Sequence, residues 1–236
     1  MTKTLGYDSF PMYFREPHSP TDRDISPQGS NSAHGMTRPS PLGRLGADGR
    51  YLLFTGARTA NTFSDTPVSN EELTEIWELA KWAPTSANGQ PMRVLFVRTA
   101  EGRERLLPHM LDKNRAKTAS APAVAILAMD LEFHEHLPRL VPYRPEIKNV
   151  FAEQGVRHES ARFNTILQAG YFILAIRAAG LAAGPMIGFD NAGVDAEFFA
   201  ETTFRSVLVV NIGHPGENPW LDRLPRLDNE EVITWT

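Results

Sequence analysis

The longest helical pattern in this chain runs from His158 to Ala179 and stops at Gly180, and its apolar residues do not keep to one stripe. Phe163, Ile166, Leu167, Tyr171, Phe172, Leu174 and Ile176 cover more than one face. A helix apolar over that much of its circumference is buried, at the centre of the fold or between subunits. The glycine at its end is the residue best able to take the left-handed turn that closes a helix. Gln168 and Arg177 interrupt the apolar stretch Ile166 to Ala179, which is too short to span a bilayer.

Shorter elements alternate around it. Ser69-Asn70-Glu71-Glu72 reads as a capping box, and Leu73, Ile76, Trp77 and Ala80 follow at helical spacing, which predicts a helix over 70–82. Val94 to Val97, Pro122 to Met129 and Ser206 to Ile212 read as buried strands, with a polar helix from Glu101 to Met110 and a short segment at Glu230-Glu231-Val232. The 236 residues, 42% of them hydrophobic, suffice for one sizeable core. The expected fold class is α/β (α+β), a sandwich with a central mixed sheet surrounded by helices. Residues 51–236 form the expected domain. Residues 1–50, where Pro17, Pro20, Pro27, Pro39 and Pro41 alternate with Gly, Ser, Asp and Arg, read as a Pro/Gly/Ser-rich extension with no hydrophobic period.

A formal charge of -4 leaves no basic field for nucleic acid. No cysteine is present, which excludes disulfides, thiolate metal sites and cysteine nucleophiles. With no signal-like N-terminus and no membrane span, the expectation is a cytoplasmic protein with small-molecule partners. No G-x-G-x-x-G follows a strand, no phosphate-binding G-x-x-x-x-G-K-[ST] occurs, and Ser86 lacks the elbow glycines of a serine hydrolase. His134-Glu135-His136 beside Glu132 does not have metal-site spacing, so no metal is expected.

Three polar segments remain as candidate sites. The first is the loop Pro84-Thr85-Ser86-Ala87-Asn88-Gly89-Gln90-Pro91, in which two prolines bracket hydroxyl, amide and glycine positions between a helix and a strand. It reads either as a connection satisfying its own backbone or as a fixed cradle for an oxygen-rich ligand. The second is Arg58-Thr59-Ala60-Asn61-Thr62-Phe63, where a guanidinium beside a hydroxyl and an amide fits a phosphate or lies solvated in a loop. The third is Gly184-Pro185-Met186-Ile187-Gly188, either a helix-ending turn or a stretch of backbone that a flat ligand approaches closely.

The loop resembles the P-S-S-x-N-x-Q-P loop of the FMN-dependent nitroreductase family, matching at every position except Thr85. Arg58 to Phe63 resembles the R-S-x-R-x-F opening of that family, with Thr59 for Ser and Asn61 for the second Arg. Arg226 to Val232 is in register with its R-x-P-L-E-E-V ending, although Asp228 and Asn229 depart from it and Arg223 lies close by as an alternative phosphate ligand. The wording G-P-M-x-G-F-D at 184–190, with A-K-T before the Pro122 strand, L-Q-A-x-Y in the long helix and L-P-R-L near the end, narrows the resemblance to the malonic semialdehyde reductase-like branch.

That resemblance implies a homodimer with a long central helix and FMN at the interface. It implies Arg58 and Arg226 at the phosphate, Thr59, Asn61, Pro84, Thr85, Ser86 and Asn88 around the ribityl chain and ring oxygens, and Gly184, Pro185, Met186, Ile187 and Gly188 along the ring. The chemistry is then the flavin's, with no catalytic side chain and NAD(P)H as electron donor. It further implies reduction of a small organic substrate, malonic semialdehyde to 3-hydroxypropionate, with Arg93 or Lys117 as cations for its carboxylate. A general nitro or quinone reductase, a flavin dehydrogenase or oxidase acting on a biosynthetic intermediate, and a non-enzymatic flavin-binding protein are the alternatives.

Overall fold

A computed structural model describes residues 43–236. Most of the stretch assigned to an extension, residues 1–42, lies outside the described residues. Helix α1 (Ala47–Arg50) starts within residues 1–50 and runs on into a π turn over Tyr51–Thr55. Residues Arg44–Thr236 cluster as one compact unit.

The capping box at the start of α2 (Asn70–Ala80) is reciprocal: Ser69 Oγ accepts from the Glu72 backbone N–H at 3.1 Å, and the Glu72 carboxylate accepts from the Ser69 N–H at 2.7 Å. Its inner face buries Leu73, Ile76 and Ala80, the apolar period read from the sequence. Strand β1 (Met92–Val97) is followed by α3 (Ala100–Leu106), α4 (Asp112–Ser120) and β2 (Ala123–Asp130). The short α5 (Leu137–Leu140) then leads to α6 (Gln154–Ala178), whose first turn is closed by the Glu153 carboxylate accepting from Gly155 and Val156 N–H at 2.8 Å each. Strand β3 (Ala182–Met186), α7 (Asn191–Phe198), β4 (Phe204–Gly213) and α8 (Asn229–Val232) complete the order.

The strands lie in the order β1-β2-β4-β3, and every pair is antiparallel. This corrects the expected mixed sheet, and the reason lies in the connections. Helices α3 and α4 carry the chain from Val97 back to Val124, its own partner at the same end of the sheet, so β1 and β2 run in opposite directions. Helix α6 does cross over between two strands of the same direction, β2 and β3. However, β4 inserts between them, so among the described residues no hydrogen-bonded pair is parallel.

Strand β2 is buried along its whole length. Its alternation divides the core: Ala123, Ala125 and Leu127 pack with α2 and α6, while Val124, Ile126 and Ala128 pack with Leu106, Met110 and Val194 on the other face. A continuous apolar run is what a strand covered on both faces requires. A smaller cluster, Met129, Phe133, Leu137, Val141, Phe151 and Ala161, sits over the first half of α6. Among the described residues no helix is long and apolar enough to cross a membrane.

Candidate functional site

The loop between α2 and β1 is held in a conformation that its residues resist. Ala87, Asn88 and Gln90 all have positive φ, at 52°, 51° and 44°. Each non-glycine residue in that region costs about 1–2 kcal/mol, which persists only where surrounding contacts fix it. Those contacts come chiefly from α6. The buried Asn164 side-chain oxygen accepts from Ser86 N–H at 2.7 Å, and the buried Gln168 oxygen accepts from Met92 N–H at 3.0 Å as the chain enters β1. Asn88 Nδ2 donates to Leu140 O at 3.1 Å, and the Thr85 hydroxyl accepts from Gln90 N–H at 3.2 Å. Thr85 and Asn88 therefore brace the loop itself. The Ser86 side chain points outward with Pro84 beside it, and it has no hydrogen-bond partner among the described residues.

In the sequence Gln168 stood out only as a break in the apolar stretch and Asn164 not at all, so neither was expected to shape the site. They lie four residues apart, so they share one face of α6, and that face is the buried one. Two amides at such spacing inside an apolar helix are the signal that was there to be read.

The Arg58 turn is stitched to the far edge of the sheet. Ala60 N–H donates to Ala183 O at 3.1 Å, Asn61 N–H to Pro219 O at 3.0 Å, and the Thr62 hydroxyl to Glu217 O at 2.7 Å. The segment after β4 thus runs alongside residues 55–64 and brings a second arginine with it. Arg58 Nη1 donates to Leu221 O, while Arg223 Nη2 donates to Thr55 O at 2.7 Å and Ala57 O at 3.2 Å. Arg226, by contrast, among the described residues caps only its own neighbours, Leu224 O at 2.9 Å and Pro225 O at 3.0 Å. Of the two arginines near the C-terminus, Arg223 is the one placed with Arg58. Among the described residues neither of that pair has a carboxylate within 4 Å. Thr59 is exposed beside them, and Asn61 Nδ2 reaches back to Thr59 O at 3.4 Å.

Gly184 to Met186 is strand rather than turn. Proline is tolerated there because β3 is an edge strand with a neighbour on one side only. Gly184 lies so close to the Arg58 turn that a Cβ would come within 2.9 Å of Ala60 O. Met186 turns its side chain into the core, where Thr118 Oγ1 lies 3.8 Å from its sulfur, so it can offer a ligand only backbone. Ile187 is 80% exposed. Gly188 is pinned to α4, its carbonyl accepting from Leu111 N–H at 3.2 Å and Asn114 Nδ2 at 2.8 Å.

The family model described as "Nitroreductase family" matches residues 55–214, which span the loop, the Arg58 turn and the Gly184–Gly188 segment. The chain belongs to the nitroreductase family. A Streptomyces coelicolor relative, provisionally named NADH dehydrogenase/NAD(P)H nitroreductase, is 60% identical over 201 residues, covering 85% of this chain and all of its own length. A Leptothrix cholodnii relative with the same provisional name is 52% identical over 75% of this chain and 90% of its own. Among solved structures, a nitroreductase-type protein from Exiguobacterium sibiricum in complex with FMN superposes with a TM-score of 0.72 at 20% identity, covering 82% of this chain and 99% of its own.

Within this nitroreductase fold the candidate residues fall into two groups. The Ser86 loop feeds β1 at one edge of the sheet, whereas Arg58, Arg223 and Gly184–Gly188 gather at β3, the other edge. Three interstrand spacings, about 14 Å, separate the two edges. Arg93 is not available as a substrate cation: it pairs with the buried Asp130 at 2.6 Å and donates to Gln90 O and Met92 O. Glu132, His134 and Glu135 do converge. Their carboxylates are already met by Arg157 at 3.2 Å and Lys148 at 3.0 Å, and they face different nitrogens of the imidazole. The arrangement is an ionic cluster tying residues 132–135 to Lys148 and to α6.

Proposed function

We propose that this chain is an FMN-dependent oxidoreductase that draws electrons from NAD(P)H and reduces a small organic acceptor, and that it works as a homodimer. The observation that carries the reading is the Arg58–Arg223 pair beside β3. Two guanidiniums engaged only by backbone carbonyls keep their charge unneutralised, and that donor set fits a phosphate. Arg223 takes the place that the sequence resemblance gave to Arg226.

Thr59, Asn61 and the backbone of Gly184, Pro185, Met186 and Gly188 would line the cofactor from the β3 edge, with the Ile187 side chain over it. Pro84, Thr85, Ser86 and Asn88 would close the site from the other subunit: Ser86 offers its hydroxyl, and Thr85 and Asn88 keep the loop in shape. When bound, FMN supplies the two-electron transfer between donor and acceptor. The side chains bind, orient and exclude water.

The opposite-edge placement supports the dimer, because a second copy is the source of a Ser86 loop for the β3-edge cluster. So does α6, whose outward Phe163, Ile166 and Tyr171 leave an apolar stripe 64%, 47% and 43% exposed in a single chain. Helix and loop are then coupled, since α6 carries both the stripe and the Asn164 anchor.

An absorption spectrum of purified protein tests the cofactor, and anaerobic bleaching by NADH or NADPH tests the direction of electron flow. Protein that stays colourless after incubation with excess FMN would overturn the proposal, as would a monomer retaining full FMN occupancy. The provisional names of the relatives favour NAD(P)H as donor. Malonic semialdehyde as acceptor is supported by the 184–190 wording alone, and turnover of that aldehyde is its test.

A further inference from the structure

The end of α6 and the π turn over Tyr51–Thr55 border a cavity of about 200 Å³ that the cofactor reading leaves unused. Tyr51 and Trp220 stand in its walls together with two guanidiniums, those of Arg58 and Arg177. Among the described residues no acidic side chain lines it, and neither arginine has a carboxylate within 4 Å. Arg58 is shared with the phosphate pair described above, whereas Arg223 is not part of this lining. A phosphate held between Arg58 and Arg223 therefore leaves Arg177 without an anion.

The α6 helix alone does not account for Arg177. A cation in the last turn offsets the negative pole of a helix, and it can do so from the surface. Here the side chain is half-buried: Nη1 donates to Leu53 O of the π turn at 3.2 Å, and Nε lies out of water with no partner among the described residues. A buried donor without an acceptor is costly, and an oxygen of a bound ligand would satisfy it. Burial holds the guanidinium below the usual arginine range, yet an arginine keeps its charge at neutral pH. The aromatic walls are set by the backbone around them. A Cβ on Gly56 would meet the Tyr51 ring at 2.6 Å, so the ring packs directly on the glycine. Trp220 sits between Pro219, whose carbonyl accepts from Asn61 N–H at 3.0 Å, and Leu221, whose carbonyl accepts from Arg58. Tyr51 is 67% and Trp220 44% exposed, which leaves aromatic surface for a flat ring to cover.

We propose that this cavity receives the adenosine end of the reduced dinucleotide, with Arg177 on the 2′-phosphate and the purine against Trp220, so that the chain prefers NADPH to NADH. The inference rests on the reading above of NAD(P)H as electron donor. A volume of about 200 Å³ lies below the ~300–1,000 Å³ of a site that encloses a drug-sized ligand, so the cavity takes one phosphorylated ribose and leaves the rest of the dinucleotide outside it. A terminal phosphate suits arginine in particular, because the planar fork meets two of its oxygens at once.

The test is calorimetric titration of protein incubated with excess FMN, comparing 2′,5′-ADP, which carries the extra phosphate, with 5′-AMP, which lacks it. The wild type should bind 2′,5′-ADP more tightly by about tenfold or more, the effect of one charge-assisted hydrogen bond. Arg177→Met should abolish that difference and raise the KM for NADPH about tenfold relative to the KM for NADH, and Arg177→Lys should keep part of the preference. Trp220→Ala should weaken both nucleotides together. Bound-FMN absorbance should not change in Arg177→Met. Equal binding of the two nucleotides by the wild type would overturn the proposal whether or not the variants fold. Loss of FMN from Arg177→Met would also overturn it, by placing Arg177 at the flavin phosphate, as would equal effects on NADPH and NADH, which would make Arg177 a brace for the π turn alone. The titration separates the two readings. Colourless protein that still prefers 2′,5′-ADP through Arg177 would end the flavin reading and keep the cavity. A flavoprotein that does not distinguish the nucleotides would end the cavity alone.

Discussion

Asn164→Ala isolates what the buried polar face of α6 does for the site. The side chain links Ser86 N–H at 2.7 Å to its own helix, where Nδ2 donates to Ser160 O at 2.8 Å. Asn164 is 3% exposed, so removing it leaves the Ser86 N–H unsatisfied next to the cavity it vacates. A buried donor deprived of its acceptor costs about 1–3 kcal/mol. The three left-handed residues of the loop store about 3–6 kcal/mol at 1–2 each. Part of that strain relaxes once the anchor is gone, so the expected net loss of unfolding free energy is about 2 kcal/mol. A loop that must be driven back into its strained form on binding should also raise the FMN Kd at least tenfold, which corresponds to about 1.4 kcal/mol. Urea unfolding followed by circular dichroism and titration of FMN into apoprotein read the two effects. Ser160→Ala is the control, because it removes only a 3.3 Å contact and leaves the backbone acceptor in place. A variant that loses stability but binds FMN as tightly as wild type would refute the argument: Asn164 would then be a packing residue and the loop would keep its shape unaided.

Arg223→Ala should raise the FMN Kd by about ten- to a hundredfold, the range for one charge-assisted hydrogen bond, while Arg226→Ala stays within about twofold; equilibrium dialysis decides between them. Ala87→Gly should leave stability unchanged or raise it by up to about 1 kcal/mol, because relief of positive φ opposes the entropy of an added glycine. Ala87→Val, whose branched side chain tolerates that region worst, should lower the urea midpoint. Glu72 is held below the usual carboxylate range by the Ser69 backbone N–H and then by the Ser69 hydroxyl. A depressed folded pKa gives stability that is complete above the unfolded value of about 4.3 and is lost as pH falls through the folded one. The difference between wild type and Glu72→Gln should therefore be constant near neutral pH and shrink below pH of about 4, as read from urea midpoints across that range.

Much of the fold could be read from the sequence where one physical signal dominated. The Ser69–Glu72 capping box placed α2 to within two residues at its C-terminus, and the unbroken apolar run after Pro122 identified a strand buried on both faces. Helix α4 gave no such signal. Of Asp112 to Ser120 only Asn114 and Thr118 are buried, so its inner face is polar and no apolar period exists to find. Strand β3 was hidden by its own composition, because glycine and proline in succession mark a turn unless the strand lies at an edge, and edge position is a property of the whole sheet. The same limit applied to the phosphate candidates. The resemblance to the R-x-P-L-E-E-V ending put Arg226 in register and left Arg223 as the alternative, and the hydrogen bonds of residues 217–223 to the Arg58 turn are what bring Arg223 beside Arg58.

Helix α6 links the Ser86 loop to the proposed dimer contact. A helix needed only for packing gains from apolar residues at Asn164 and Gln168, since burying an amide is at best near neutral when its partners are met. The Gln168 Nε2 and Thr165 hydroxyl groups have no partner at all among the described residues. These groups are thus costly to the isolated fold, and the return is geometric: Asn164 and Gln168 fix the strained Ser86 loop and the entry to β1 from a helix whose other side exposes Phe163, Ile166 and Tyr171, the stripe proposed to meet a second copy. Gln168→Leu removes the unpartnered Nε2 but also deprives the buried Met92 N–H of its acceptor, so it should lower stability by about 1–3 kcal/mol and weaken FMN binding as well. A substitution such as Gln168→Leu that left both unchanged would mean that β1 finds its register without α6.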